Sequence, residues 1–219
     1  MNKLLRLGRA VRGFVRISVD PSRLNEVFNL SDGLADPAVL DKLAEHYRRQ
    51  PEGAEALRDQ PRLHIDLTEL SKLPEGTLGR EFADHMIANG LDPAALPTLS
   101  ARSEGEFVRA HLYESHDVWH VVTGFATDVA GELGLQAFYL AQAGEGKLPT
   151  AILAAGLVNT LLFAHDEHEA RMNEIARGWQ LGKLARPLFG VRWDRLWNVP
   201  LAEVRRTLGV AAVETRLAA

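Results

Sequence analysis

Four residues in the middle of the chain have the types and the spacing to hold a metal ion: His116, Asp117, His120 and Glu132. His116 and His120 stand four apart, so on a helix both imidazoles leave the same face about one turn from each other. Two histidines so placed can pinch one ion, as in the H-E-x-x-H helix of zinc peptidases. Here Asp117 replaces Glu. It lies ~100° around the helix from His116 and reaches the same ion only from the flank. A His pair at this spacing also occurs on ordinary solvated helix faces, so the string alone does not decide the matter.

Glu132 adds a geometric demand. It follows His120 by twelve residues, and one straight helix would set the two about 18 Å apart. Sharing an ion requires the chain to turn back. Gly124 is a good helix stop, Thr127 a good cap for a new helix, and Asp128 suits that helix's positive end. Gly131 would let helix backbones approach closely beside Glu132. The spacing therefore predicts an antiparallel helix hairpin with the ligands across its inner face. Two imidazoles with one or two carboxylates suit zinc, iron(II) or manganese. Zinc polarises an oxygen without redox chemistry, whereas a redox metal would permit oxygen chemistry. The motif's neighbours are apolar and aromatic (Trp119, Val122, Phe125, Phe138, Tyr139), which predicts that the ion faces an apolar cavity.

A second group, His165, His168 and Glu169, opens a helix after an uncharged run. Acidic residues suit a helix start, and the group reads as a solvated N-terminal turn.

The elements that must position these residues are helices set off by Pro and Gly. Helices are expected near 23–29 and 37–49, the second ending before Pro51. Residues 62–67 alternate Leu63, Ile65 and Leu67 like a strand, but Asp66 with Glu69 three residues on favours a short capped helix. A helix capped by Thr77 runs to about Asn89, with Phe82 and Met86 on one face and Gly90 as its stop. The histidine helix starts near Ser103. Further helices are expected at about 149–164, 167–188 and 201–208. The fold class is all-α, a single compact helical domain over residues 20–219.

Composition narrows the function classes. The 219 residues, 46% hydrophobic and 25% charged, suffice for a sizeable core. The absence of cysteine excludes disulfide scaffolds, thiolate zinc sites and cysteine nucleophiles. A net charge of −4 offers no basic face for nucleic acid. Residues 1–19 carry Lys3, Arg6, Arg9, Arg12 and Arg16 and no acid. This segment reads as a solvated N-terminal helix, as an organellar transit segment, or as a basic helix on an anionic membrane surface, with Leu4, Leu5, Leu7, Val11, Phe14 and Val15 on its apolar side. Residues 148–164 are uncharged but fall short of the ~20 residues that span a bilayer, so a buried core helix is expected. Phe189, Trp193 and Trp197 read as core rather than as an interfacial belt.

Taken together, the blocks resemble the Coq-four family of ubiquinone biosynthesis proteins. Its hallmark HDxxH followed after eleven residues by Glu is His116-Asp117-x-x-His120 with Glu132. Leu73 to Gly79 with Phe82, Ala83 and Met86 is similar to the family's LPxGTLG block. Gly178 and Gly182 through Ala185, Arg186, Pro187 and Leu188 resemble its C-terminal glycine block, with Arg186 where Lys is common. Pro200, Leu201, Val204, Arg205, Leu208 and Gly209 resemble its usual ending. The resemblance runs from about residue 20 onward, and a composition rich in Ala, Arg and Leu without Cys points to a bacterial member.

The resemblance implies an all-α protein peripheral to membranes, at the cytoplasmic face of the bacterial inner membrane or, in a eukaryote, at the mitochondrial inner membrane. It implies a divalent metal, usually taken as zinc, on His116, Asp117, His120 and Glu132. It also implies a polyprenyl quinone precursor in an apolar cavity and association with other ubiquinone-biosynthesis proteins. The implied activity is removal of the C1 carboxylate from a polyprenylated hydroxybenzoate, in some views coupled to hydroxylation, with Asp117 or Glu132 as proton carrier. Trp119, Phe125, Gly182 and Arg186 are the candidate substrate contacts. The alternatives are a polyprenyl-lipid carrier or scaffold with a structural metal, and a metallohydrolase. Pairing into a homodimer stays open.

Overall fold

The computed structural model describes residues 3–21, 23–93, 97–144 and 146–210. The described residues form twelve α-helices and no named strand, as the all-α reading expects. By backbone contacts they divide into two compact units, one of residues 1–39 and 126–183, the other of 40–125 and 184–219.

The first unit holds α1 (Lys3–Val19), α2 (Leu24–Leu34), α9 (Val129–Ala143), α10 (Lys147–Phe163) and α11 (His168–Leu184, to residue 183). α1 packs on α2 and α10. Ala10, Ile17, Leu30 and Ala155 form a core there, flanked by Phe14, Val27, Leu34 and Ile152. A buried polar clamp ties three helices together. Arg171 of α11, 3% exposed, donates to Asn159 Oδ1 and Thr160 Oγ1 of α10, both at 2.9 Å. Asn159 Nδ2 donates in turn to the Ser18 carbonyl at the end of α1, at 3.0 Å. The uncharged run is therefore buried on one side only: Ala155, Gly156, Asn159 and Thr160 are covered, while Leu157, Leu161, Leu162 and Phe163 lie open. Among the described residues no helix is long and apolar enough to cross a membrane.

The second unit holds α3 (Pro37–Arg48, from Leu40), α4 (Pro51–Asp59), α5 (Leu67–Leu70), α6 (Leu78–Ala88), α7 (Glu104–Glu114), α8 (His116–Thr123) and α12 (Leu201–Leu208). The capping signals work as expected. The Asp66 side chain accepts from the Glu69 amide, Thr77 accepts from the Arg80 amide, and Ser103 accepts from the Glu106 amide. α4 departs from the sequence reading, because Pro51 opens a helix rather than only ending one; Pro is tolerated in the first turn, where its missing N–H costs nothing. The core is aromatic. Tyr47 stacks on Phe189 at 4.0 Å between centroids, and Phe82, Phe107, Trp119 and Trp193 are at most 1% exposed. Phe189 and Trp193 are thus core residues, as read. Backbone bonds join the start of α6 to the chain before α12: Leu78 N donates to Val199 O at 2.8 Å, and Gly79 N to Trp197 O at 2.9 Å.

Candidate metal centre

The histidine helix is not the continuation of α7 that the sequence suggested. The Ser115 hydroxyl donates to the His111 carbonyl at 2.7 Å, closing α7, and α8 starts afresh at His116. The Ser115 amide still donates to the His111 carbonyl and its own carbonyl accepts from the Trp119 amide, both at 3.0 Å, so the two helices follow each other closely. α8 packs on α6, α7 and α12, and its residues 118–123 are buried. It ends where expected, at Gly124, whose φ of +73° lies in the left-handed region that favours glycine. The guanidinium of Arg205, from α12, donates to the carbonyls of Val121 (2.9 Å) and Val122 (3.0 Å). Those carbonyls belong to the last turn of α8 and have no partner within it, so Arg205 fixes the end of the helix that carries the histidines.

His120 is 1% exposed, and its Nδ1 lies 3.0 Å from the Phe125 carbonyl. A carbonyl only accepts, so Nδ1 carries the proton and donates, which in the neutral ring leaves the lone pair on Nε2. Nε2 of His120 faces Nε2 of His116 at 3.3 Å. An ion ~2.0–2.1 Å from each nitrogen at a tetrahedral angle would hold them about 3.3–3.4 Å apart. This pair of imidazoles is already set as metal ligands are, with the buried ring oriented by a backbone carbonyl.

The twelve residues after His120 do not continue as one helix. Five residues, Gly124 to Asp128, separate α8 from α9. The cap of α9 is Asp128 rather than Thr127: its carboxylate accepts from the Gly131 amide at 2.8 Å, where a negative charge also complements the helix dipole. Gly131 is needed for a different approach from the one expected. A Cβ there would fall 2.2 Å from the Ala126 carbonyl, so the glycine admits the turn and not a second helix. Glu132 thus stands in the first turn of α9. His116, His120 and Glu132 each offer one ligand atom, and these atoms all lie within 4.8 Å of one another. Two imidazoles and one carboxylate in this arrangement fit a divalent ion of the zinc, iron(II) or manganese type.

Asp117 is outside that trio. Its charge, together with the larger effect of burial, raises the Tyr113 phenol to about 12. Asp117 also opposes the lowering of the His85 imidazole, which burial first and His120 second push below its ordinary value. Spacing gave no signal for His85, yet its ring lies 6.2 Å from that of His120 at an interplanar angle of 21°. Trp119 and Phe125 are buried at 0% and 2% exposure. Gly182 is buried in α11, where a Cβ would fall 2.7 Å from the Ala141 Cβ, a close-packing position. Arg186 is exposed and pairs with Glu52 at 2.5 Å. His165, in the short turn before α11, and His168, the first residue of α11, are exposed, and His168 Nδ1 lies 2.8 Å from the His165 carbonyl. Among the described residues they join no group of metal-ligating side chains.

The sequence pattern described as "Coenzyme Q (ubiquinone) biosynthesis protein Coq4" matches residues 2–214. The chain belongs to this family. Its relatives include the mitochondrial ubiquinone biosynthesis protein COQ4 of Yarrowia lipolytica, 31% identical over 215 residues, covering 93% of this chain and 80% of that protein. The human mitochondrial homologue is 32% identical over 179 residues, covering 80% of this chain and 66% of its own length. A crystal structure of a candidate ubiquinone biosynthesis protein from Nostoc punctiforme superposes with a TM-score of 0.79 at 30% identity, covering 93% of this chain and 97% of that one. The family's place is ubiquinone biosynthesis, which is consistent with interaction with other components of that pathway.

Proposed function

We propose that the protein removes the C1 carboxylate of a polyprenylated hydroxybenzoate on the way to ubiquinone, using a divalent ion held by His116, His120 and Glu132. The observation that carries this reading is the trio of ligand atoms within 4.8 Å of one another. Three protein ligands leave a fourth position of a tetrahedral ion for water or substrate, as catalytic sites do and closed structural sites do not. When bound, a divalent ion supplies Lewis-acid stabilisation of negative charge on a substrate oxygen.

The chain's own groups supply the rest. In the redox-neutral form of the reaction, C1 gains a proton, the bond to the carboxylate breaks, its electron pair returns to the ring and CO2 leaves. A carboxylate bound to a metal is a poor base, so Asp117, outside the trio, is the better proton carrier and Glu132 the better ligand. His120, with Nδ1 committed to the Phe125 carbonyl, is oriented for ligation. Arg205 keeps the end of α8 from fraying beneath it. The oxidative form, in which CO2 leaves and a hydroxyl takes its place at C1, is a two-electron oxidation that would need dioxygen as oxidant, reduced to hydrogen peroxide with water supplying the balance, and a redox metal in place of zinc.

The test is to incubate purified, metal-defined protein with a polyprenylated hydroxybenzoate, with and without dioxygen, and to measure CO2 release and product mass. Turnover in the wild type, loss of metal and turnover in His120→Ala, and metal retained with a rate ~10²–10⁴-fold lower in Asp117→Asn are expected. No product with any first-row metal under either condition would leave the lipid-carrier reading in its place.

A further inference from the structure

His85 is a buried imidazole close to the trio that the chemistry above leaves unused. It stands in the last turn of α6, a helix held at its start by the Thr77 cap and by the bonds of Leu78 and Gly79 to the chain before α12. Its carbonyl accepts from the Asn89 side chain at 2.8 Å, which closes that last turn. Phe82 and Met86 are buried, so His85 lies at the margin of the covered face of α6, the helix that packs on α8. A ring nitrogen at such a margin ordinarily meets water or a hydrogen-bonding group. His85 Nε2 is buried, and no group among the described residues pairs with it.

Its ring lies 6.2 Å from that of His120, with 21° between the planes. Two imidazoles on one tetrahedral ion have their ring centres about 5 Å apart, as His116 and His120 do at 4.8 Å. His85 is therefore too far back to share an ion with His120 in that way, and near enough to meet what the ion holds beside it. The charges of His120 and Asp117 both reach it. We infer that His85 Nε2 hydrogen-bonds an oxygen of the aromatic acid bound at the trio, an inference that rests on reading the trio as the site of that acid. A neutral imidazole has one N–H to donate, and a phenol or carboxylate oxygen accepts it. One contact to the ion and one to His85 fix the direction in which the aromatic ring faces, which is what brings C1 to a proton carrier. An acid lacking that oxygen leaves Nε2 buried and unpaired, so His85 also selects against it.

The test uses the zinc-loaded full chain and two short-chain probes followed by calorimetry: a prenylated benzoate without the hydroxyl and a prenylated phenol without the carboxylate. His85→Phe should weaken one probe by about tenfold or more, the worth of a hydrogen bond to a charged oxygen, and leave the other within about twofold. The probe that suffers names the oxygen. His85→Gln, whose amide can offer an N–H near the place of Nε2, should recover most of the loss. Zinc affinity in a chelator competition should match the wild type in both variants, and the melting curve of His85→Phe should not fall. A tenfold loss of zinc affinity would make His85 a ligand and overturn the assignment. Equal weakening of both probes, weakening of neither, or a wild type that binds neither would overturn it as well. CO2 release is a separate readout: a wild type that releases none, while its probe binding still depends on His85, overturns the decarboxylation and leaves the hydrogen bond standing.

Discussion

In the unit that carries α8, Phe82, Phe107, Trp119, Phe189 and Trp193 are each at most 1% exposed. In the unit that carries α1, the contrast is at the surface. Among the described residues it holds twelve of the fourteen large apolar side chains left exposed, on α1, α10 and α11. The first of these regions draws its stability from burying aromatic area. The second buries Leu133, Leu135 and Phe138 on α9, joins α10, α11 and α1 through a buried Arg171–Asn159–Thr160 clamp, and leaves much of its apolar surface outside. Apolar side chains already in water add little to folding.

The largest expected effect separates the two regions directly. Phe107→Ala, in the aromatic core, should cost about 3–5 kcal/mol in denaturant unfolding, since the cavity cannot collapse fully. A loss under about 1 kcal/mol would mean that core is far looser than its burial indicates.

Next comes an acid-sensitive contribution from the same core. Burial against Phe107 and Phe189 holds the His111 imidazole down to about 4. The unfolded chain takes up that proton near pH 6.5, the folded chain only near 4. Between those values the unfolded state binds more protons, so stability falls as the pH drops through this window and levels off below it. The contribution is on the order of 3 kcal/mol. His111→Phe should flatten the acid limb of a pH–stability curve measured between 4 and 6.5, and an unchanged limb would place the acid sensitivity elsewhere.

Asn159→Ala should cost about 2–3 kcal/mol, because it leaves the buried Arg171 charge short of an acceptor and the Ser18 carbonyl short of a donor. If it is neutral, the clamp is not what holds the first unit together. Arg205→Ala, which frees two carbonyls at the end of α8, should cost about 1–2 kcal/mol. It should also weaken metal binding in a titration, a readout that a loss elsewhere in the core would not move. At the small end, Leu7→Ser on α1 should shift stability by less than about 0.5 kcal/mol. A larger loss would show that the open face is covered in solution and would erase the contrast between the regions.

The sequence by itself determined whatever depends on neighbours a few residues apart. The caps at Asp66, Thr77 and Ser103, the stop at Gly124 and the one-face pairing of His116 with His120 follow from local hydrogen bonding and helix period, so their residue types announce them. The need for a break in the helix between His120 and Glu132 was legible too, because one straight helix would keep the two apart. Tertiary structure decided the rest. The break at Ser115 carries no local signal, and the pattern around it reads equally well as one helix. Asp128 over Thr127 as cap was a choice between two good candidates one residue apart. Which side of the uncharged α10 would be covered could not be read from a helix apolar all round. The hold of Arg205 on α8 and the nearness of His85 to His120 join residues dozens of positions apart. No local pattern encodes such contacts, because they exist only once the helices have packed.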